Sequence, residues 1–177
     1  MGHLALGSAE ALPVLIARHR TRLFALLLRA TGRRSDAEDL FQETWLRVGR
    51  QAQRYDPSRP FGPWLATVAS RLAIDFARVG ARHAPADEPE GGAPEVATSK
   101  PTPEALVAQA QSRAEVAEAL KSLPPHLREA VLLRYFDELD EQSMAQSLNI
   151  PKGTVKSRLH HGLKALRAAL TGEPHDD

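Results

Sequence analysis

Residues 140–170 read DEQSMAQSLNIPKGTVKSRLHHGLKALRAAL, and this stretch decides the fold. It divides into two helical patterns interrupted at Leu148-Asn149-Ile150-Pro151. Asn149 stands where the chain must turn sharply, and Asn tolerates positive φ better than most residues that carry a Cβ. Pro151 suits the first position of a new helix, where its missing N–H would lack an intrahelical partner anyway. Winding the second pattern at about 100° per residue gathers Val155, Leu159, Leu163, Leu166 and Leu170 into one stripe. Ser157, His160, His161, Lys164 and Arg167 fall opposite, flanked by Lys156 and Arg158. From Pro151 to Leu170 there are five Lys/Arg and no Asp/Glu. A solvated helix usually mixes charges of both signs as i,i+4 pairs, so a single-sign face points to an anionic partner. A short helix, a tight turn and a second helix with polar residues near its start make a helix-turn-helix. The competing reading is a basic amphipathic helix packed in an ordinary bundle.

The rest of the chain surrounds this element with unequal charge. Of 177 residues, 1–83 carry net charge +6, 84–103 carry −3, and 104–177 carry −2 despite the basic helix. Sections that differ this way suggest separate surfaces for separate partners. The length suffices for one or two small domains with real cores. There is no Cys, which excludes disulfides, thiolate metal sites and a thiol nucleophile. No apolar run reaches the ~18 residues that span a bilayer. No basic segment followed by an apolar one opens the chain. These features are read as a soluble cytoplasmic protein.

Before the helix-turn-helix, residues 9–31 predict a first helix, with Leu12, Leu15, Ile16, His19, Leu23, Leu26 and Leu27 at helical spacing and Gly32 ending the run. His19 reads as a packing residue, since no second ligand stands at metal spacing. Ser35 followed by Glu38 reads as a capping box opening a second helix through Val48. Its core face is Leu40, Phe41, Thr44, Trp45 and Val48. Its other face carries Asp36, Asp39, Gln42 and Glu43 around Leu46. An apolar centre in a polar rim suits docking, although a lone exposed Leu is also ordinary. Arg54 to Pro63 is a loop that mixes Arg with Tyr55 and Phe61, a combination able to hold phosphate and stack a base. A rigid connector with aromatics tucked inward is the alternative. A third helix starts at Pro63 or Trp64. It buries Trp64, Leu65, Val68, Leu72, Phe76 and Val79 and presents Arg71, Asp75, Arg78 and Arg82, with Thr67, Ser70 and Ile74 beside them. Three Arg in a stripe suit a phosphate backbone, and a solvated helix face is the alternative. Residues 80–103 hold five Pro, three Gly and a run of acids without an apolar period, the composition of a flexible linker. A helix then runs from Pro103 to about Lys121. Another spans His126 to Phe136, with Leu127, Val131, Leu132 and Tyr135 inward, and Asp140 caps the helix of Met144 and Leu148.

No phosphate-binding glycine loop, zinc-protease or nucleophile-elbow motif occurs. His160 and His161 point about 100° apart on a helix and cannot chelate from one face. No metal, cofactor or small-molecule substrate is expected.

Three blocks carry a family likeness: DAEDLFQETWLRV, PFGPWLATVASRLAIDFAR, and LPPHLREAVLLRYFDELDEQSMAQSLNIPKGTVKSRLHHGLKALRAAL. In this order and spacing, over most of 10–82 and 104–170, the chain resembles a bacterial sigma factor of the extracytoplasmic-function group. The resemblance implies an all-α protein of two small helical domains. Residues 1–82 would dock on core RNA polymerase and recognise the −10 element. Residues 83–103 would form a flexible linker threading the polymerase channel, and 104–177 would read the −35 element by a helix-turn-helix. It implies that Asp39, Gln42, Glu43 and Leu46 meet the β′ clamp helices. Arg54, Tyr55, Arg59, Phe61, Thr67, Ser70, Arg71 and Arg78 would serve the −10 element, where capture of an unstacked base offsets the cost of opening DNA. Lys156, Ser157, His160 and His161 would lie nearest the −35 bases or phosphates, and Thr154, Arg158 and Lys164 on phosphate. Core polymerase (β′ clamp helices and β flap), promoter DNA and an anti-sigma factor are the implied partners, and no catalysis of its own is implied. The chain departs from the family where many relatives carry Asn at the place of Arg71, Arg or an aromatic at His160-His161, and a Ser-like cap at Pro151. Its promoter sequence therefore does not follow. A stand-alone helix-turn-helix regulator, needing neither docking face nor capture loop, is the rival reading; a nucleic-acid-processing enzyme is a third.

Overall fold

The computed structural model describes residues 11–80, 103–136 and 138–171. These form helices α1 (Ala11–Thr31), α2 (Arg34–Gln51), α3 (Phe61–Gly80), α4 (Pro103–Ser122), α5 (Pro125–Val131), α6 (Glu141–Leu148) and α7 (Lys152–Thr171). A 3-10 turn, Ala52–Arg54, follows α2, and a π-helical turn, Leu132–Phe136, continues α5. No strand occurs among the described residues. The expected linker lies largely outside them.

The first three helices pack on one another in every pairing. Leu26 and Leu27 of α1, Leu40 and Val48 of α2, and Leu65 and Ala69 of α3 are buried together, and each large side chain so buried stabilises the fold by about 1.5–3 kcal/mol. Gly32 ends α1 at φ +77°, a conformation open to a residue without Cβ, and its N–H donates to the Leu28 carbonyl at 2.9 Å. The capping box expected at Ser35 does not form. The helix begins one residue earlier, at Arg34, with Arg33 at the cap and no capping side chain. Glu38 instead accepts from Arg34 Nε at 2.8 Å. An i,i+4 ion pair has taken the carboxylate that the box required. The α3 helix also starts ahead of expectation, at Phe61. From Asp75 to Arg78 no residue is fully buried, and Phe76, expected in the core, is 39% exposed; the side chain of Val79, also expected there, lies outside what the structure describes.

In the C-terminal half, α4, α5 and α6 each pack against α7. Leu120, Leu132, Leu133, Met144 and Val155 are fully enclosed. Tyr135 was expected inward and is 49% exposed. The π turn is the physical reason: its i→i+5 spacing adds in effect one residue to the turn and rotates the stripe. The reading of residues 140–151 is realised closely. Asp140 Oδ1 accepts from the Ser143 N–H at 2.6 Å. Asn149 ends α6 in the left-handed conformation, φ 57°, ψ 48°. Pro151 sits just before the first residue of α7, and its carbonyl receives Thr154 N–H and Val155 N–H at 2.9 and 3.2 Å.

The two halves also touch. The α3 helix meets α5, α6 and the π turn, and α1 meets α4 and the π turn.

Candidate polymerase and nucleic-acid interfaces

The polar face of α2 is set by what its other face buries. Ala37, Leu40, Thr44, Trp45 and Val48 point into the core. Thr44 is tolerated there because its hydroxyl donates to the Leu40 carbonyl at 2.7 Å. Helical spacing then turns Asp39, Gln42 and Leu46 outward, and Leu46 is 56% exposed. Glu43 is half-buried and lies 3.8 Å from Arg50 and 4.0 Å from Arg47. The four residues Asp39, Gln42, Glu43 and Leu46 therefore share one surface.

The loop before α3 is held by its own aromatics. Tyr55 and Phe61 are 4% and 3% exposed. Their rings lie 5.7 Å apart, and Trp64 is 4.9 Å from Tyr55. The Tyr55 hydroxyl donates to the Arg59 carbonyl. Burial, then the Asp56 charge, pushes the Tyr55 phenol up from its ordinary range. Asp56 Oδ1 accepts from Ser58 Oγ at 2.7 Å and from Ser58 N–H at 3.0 Å. These bonds, with Arg59 at 3.4 Å, hold the Asp56 carboxyl below the usual carboxylate range. The aromatics expected at a strand-capture loop thus face inward here, while Arg59 stays exposed. The backbone of Arg54 lies in the 3-10 turn.

On α3, helical spacing puts Pro63, Thr67, Ser70, Arg71, Ile74 and Arg78 in one stripe. Thr67 and Ser70 are buried, their hydroxyls donating to the Pro63 and Thr67 carbonyls at 2.9 and 3.1 Å. Arg71 and Arg78 are exposed. Arg71 Nε donates to Glu129 at 2.8 Å, and Arg78 lies 3.6 Å from Asp75. Arg82 lies outside the described residues.

On α7, Lys156, Ser157, His160, His161 and Lys164 are exposed, and Thr154 and Arg158 are half-buried. Val155 anchors the helix from the opposite face at zero exposure. Six of the seven named residues occupy the first half of one basic helix, the half that enters a major groove in a helix-turn-helix, and Lys164 follows one turn later. Glu141, at the start of α6, lies 3.7 Å from Lys152 and 4.0 Å from Lys156.

Sequence reasoning passed over Arg128, Glu129 and Gly162. Arg128 is 9% exposed, and its guanidinium donates to the carbonyls of Lys121 and Leu123, tying the turn between α4 and α5. Gly162 is buried against Val131 and Leu127. A Gly amid an apolar stripe was the available signal for that close approach. His19, expected as a packing residue, lies 5.3 Å from the Phe61 ring. Burial, then Arg18 and Arg22, pulls its pKa below the ordinary 6.5. Among the described residues, no group of three or more His, Asp or Glu could hold a metal ion, and no helix is long and apolar enough to cross a membrane.

Comparison with known proteins matches residues 15–83 to Sigma-70 region 2 and residues 113–166 to Sigma-70 region 4. The chain is 36% identical to the ECF RNA polymerase sigma factor SigE of Mycolicibacterium smegmatis over 94% of its own length, and spans 65% of that relative. It is 34% identical to SigL of Mycobacterium tuberculosis, over 94% of this chain and 92% of the relative. It is 29% identical to SigW of Bacillus subtilis, over 93% and 91%. Among solved structures, the fold is similar to CnrH in complex with the cytosolic domain of CnrY, with a TM-score of 0.69 at 21% identity over 98% and 96% of the two chains. It is also similar to the sigma factor RpoE in complex with the anti-sigma factor NepR from Bartonella quintana, with a TM-score of 0.60 at 17% identity over 94% and 100%.

Proposed function

This chain belongs to the extracytoplasmic-function sigma factors of RNA polymerase, and from that premise we propose that it brings core polymerase to promoters in the cytoplasm and contributes no catalysis of its own. Residues 1–82 dock on the β′ clamp helices through Asp39, Gln42, Glu43 and Leu46 and act on the −10 element. Residues 83–103 link them to residues 104–177, which engage the β flap and read the −35 element. Arg71 and Arg78 supply positive charge for the −10 backbone, with Arg54 and Arg59 on the loop ahead of them. Thr67 and Ser70 line the same stripe of α3. Tyr55 and Phe61 brace the loop from behind in the free chain. On α7, Ser157, His160 and His161 stand nearest the bases, and Thr154, Lys156, Arg158 and Lys164 meet phosphate. Phosphate contacts fix register while base contacts select sequence. An anti-sigma factor covering the docking and −35 surfaces is the regulator that the fold's likeness to CnrH–CnrY and RpoE–NepR supports.

The observation that carries this reading is Leu46, a large apolar side chain 56% exposed amid Asp39, Gln42 and Glu43. A stand-alone regulator has no use for such a face. The test is equilibrium binding of fluorescent chain to purified core polymerase. Leu46→Glu should cost at least about tenfold in affinity, while its thermal midpoint stays near the parent's because the site is exposed. Equal binding by both proteins would overturn the docking assignment.

A further inference from the structure

The DNA-facing side of α7 carries two groups whose charge is not fixed. His160 and His161 are both exposed, and their rings meet edge to face with centroids 5.4 Å apart. Neither imidazole is held by a hydrogen bond or an ion pair among the described residues. The charged groups on the helices that pack against α7 are engaged elsewhere. Glu118 of α4 lies 2.6 Å from Lys121, Glu129 of α5 lies 2.8 Å from Arg71, and Glu141 of α6 lies 3.7 and 4.0 Å from Lys152 and Lys156. Arg128 of α5 is tied to the carbonyls of Lys121 and Leu123, and Asp140 caps α6. Arg113 and Glu115 of α4 and His126 of α5 bond neither ring. On α7 itself the neighbours one turn away are Lys156, Ser157, Arg158 and Lys164, and the helix contains no acid.

A neutral imidazole presents one donor and one acceptor, and an imidazolium presents two donors. Histidine ordinarily passes between these forms at about pH 5 to 8, a range over which lysine and arginine keep their charge. The major groove distinguishes the two forms. Guanine offers acceptors there, N7 and O6, whereas cytosine offers a donor and adenine one of each. A phosphate is both an acceptor and an anion, and an anion close by favours the charged ring. The two rings point about 100° apart on the helix, so they reach different groups on the duplex and do not share one base.

We propose that His160 and His161 couple −35 recognition to protons: as pH falls through the range in which histidine charges, α7 takes up protons when it binds, holds every duplex more tightly and turns its choice at the contacted base pair toward guanine. This rests on the assignment of α7 to the −35 element and goes one step beyond it. A proton has two separable effects. On the ring that meets phosphate it adds a cation, which strengthens binding to all sequences and steepens the dependence on salt. On the ring that meets a base edge it replaces an acceptor by a donor, which suits the acceptors of guanine and no longer suits the donors of cytosine and adenine. Linkage sets a ceiling of about tenfold in affinity per pH unit for each proton taken up.

The test is binding of the whole chain to duplex DNA at pH 7.5 and 5.5 and constant ionic strength, by selection from a random duplex pool and then titration of one selected duplex. The parent should bind several-fold more tightly at pH 5.5 and enrich guanine at a selected position. Calorimetry in two buffers of unequal ionisation enthalpy should register net proton uptake. The double variant His160→Gln, His161→Gln, neutral at both positions, should lose the pH dependence and the uptake. The double variant His160→Arg, His161→Arg, with fixed cations, should bind at pH 7.5 as tightly as the parent does at pH 5.5 and select guanine there already. A merely structural role would not let arginine reproduce the low-pH state. Both positions are exposed, so thermal midpoints should match the parent's at each pH. Equal affinity and base choice at both pH values in the parent, or full pH dependence in the glutamine variant, would overturn the proton coupling and leave the −35 assignment in place. Binding unchanged by Lys156→Ala would instead fall on the assignment of α7 itself and overturn the proposal with it.

Discussion

Gly162 lies so close to Val131 that a Cβ on the glycine would come within 2.8 Å of Val131 Cγ2 and 3.3 Å of the Leu127 carbonyl oxygen. The absence of a side chain at this one position lets α5 seat on the recognition helix. Two effects compete in Gly162→Ala. Alanine gains up to about 1 kcal/mol in helix propensity. Overpacking a filled core costs about 1–3 kcal/mol. Val131 is fully buried and β-branched, so it has little room to turn aside. Gly162→Ala should therefore lower the melting temperature of the C-terminal half. A rise would mean that α5 shifts away at no cost.

The cap at Asp140 should make the helix-turn-helix acid-labile. Its bonds to Ser143 hold the carboxyl below its ordinary value of 3.8. A group whose folded pKa is depressed contributes its full stability above the unfolded value and loses it as pH falls through the folded one. The contribution is thus intact at neutral pH and disappears below about pH 4. Asp140→Ala should lower the melting temperature at pH 7 by more than it does at pH 3. Equal losses at both would assign the effect to helix propensity instead of the cap.

His19 supplies a second pH signature, in a different window. Burial, then Arg18 and Arg22, disfavours its charged form, so the folded pKa lies below 6.5. Its contribution is complete above pH 6.5, where the ring is neutral in both states, and is lost as pH drops and the unfolded chain takes the proton first. The loss of thermal stability between pH 7.5 and 5.5 should be smaller in His19→Gln than in the parent. In the parent, the NMR titration of the His19 ring should have its midpoint below 6.5.

Two substitutions on α7 should separate affinity from specificity. Lys164→Ala removes a charge assigned to phosphate. It should weaken binding to all duplexes alike and reduce the slope of log affinity against log salt by about one. Ser157→Ala removes a group assigned to a base edge. It should leave the salt slope unchanged and relax selection at a base pair of the −35 element. Selection of binding sites from a random duplex pool, with a salt titration of each variant, reads both quantities.

The helix-turn-helix was legible because its signals are local. Asp140, Asn149 and Pro151 each dictate backbone geometry within a few residues of themselves. The polar face of α2 around the exposed Leu46 was legible for a similar reason, since helical period alone turns Leu46 away from Trp45 and Val48. The misreadings had competing causes that periodicity cannot see. At Ser35 the Arg34–Glu38 pair took the carboxylate that a capping box needs. At Tyr135 the π turn rotated the stripe. Tyr55 and Phe61 are a different case: the mixed Arg and aromatic loop was open to two readings, one of them with its aromatics tucked inward, and the aromatic cluster packs them that way in the free chain. Arg71 and Glu129 are 58 positions apart, and no helical pattern relates residues across such a distance.

The most direct test of the account is run-off transcription from a fragmented genomic library with purified core polymerase, with and without this protein, followed by mapping of RNA 5′ ends. New, discrete start sites preceded by shared −35 and −10 motifs are the predicted result, and Leu46→Glu should abolish them. DNA binding without new starts and without a complex with core would contradict the account and leave a stand-alone regulator in its place.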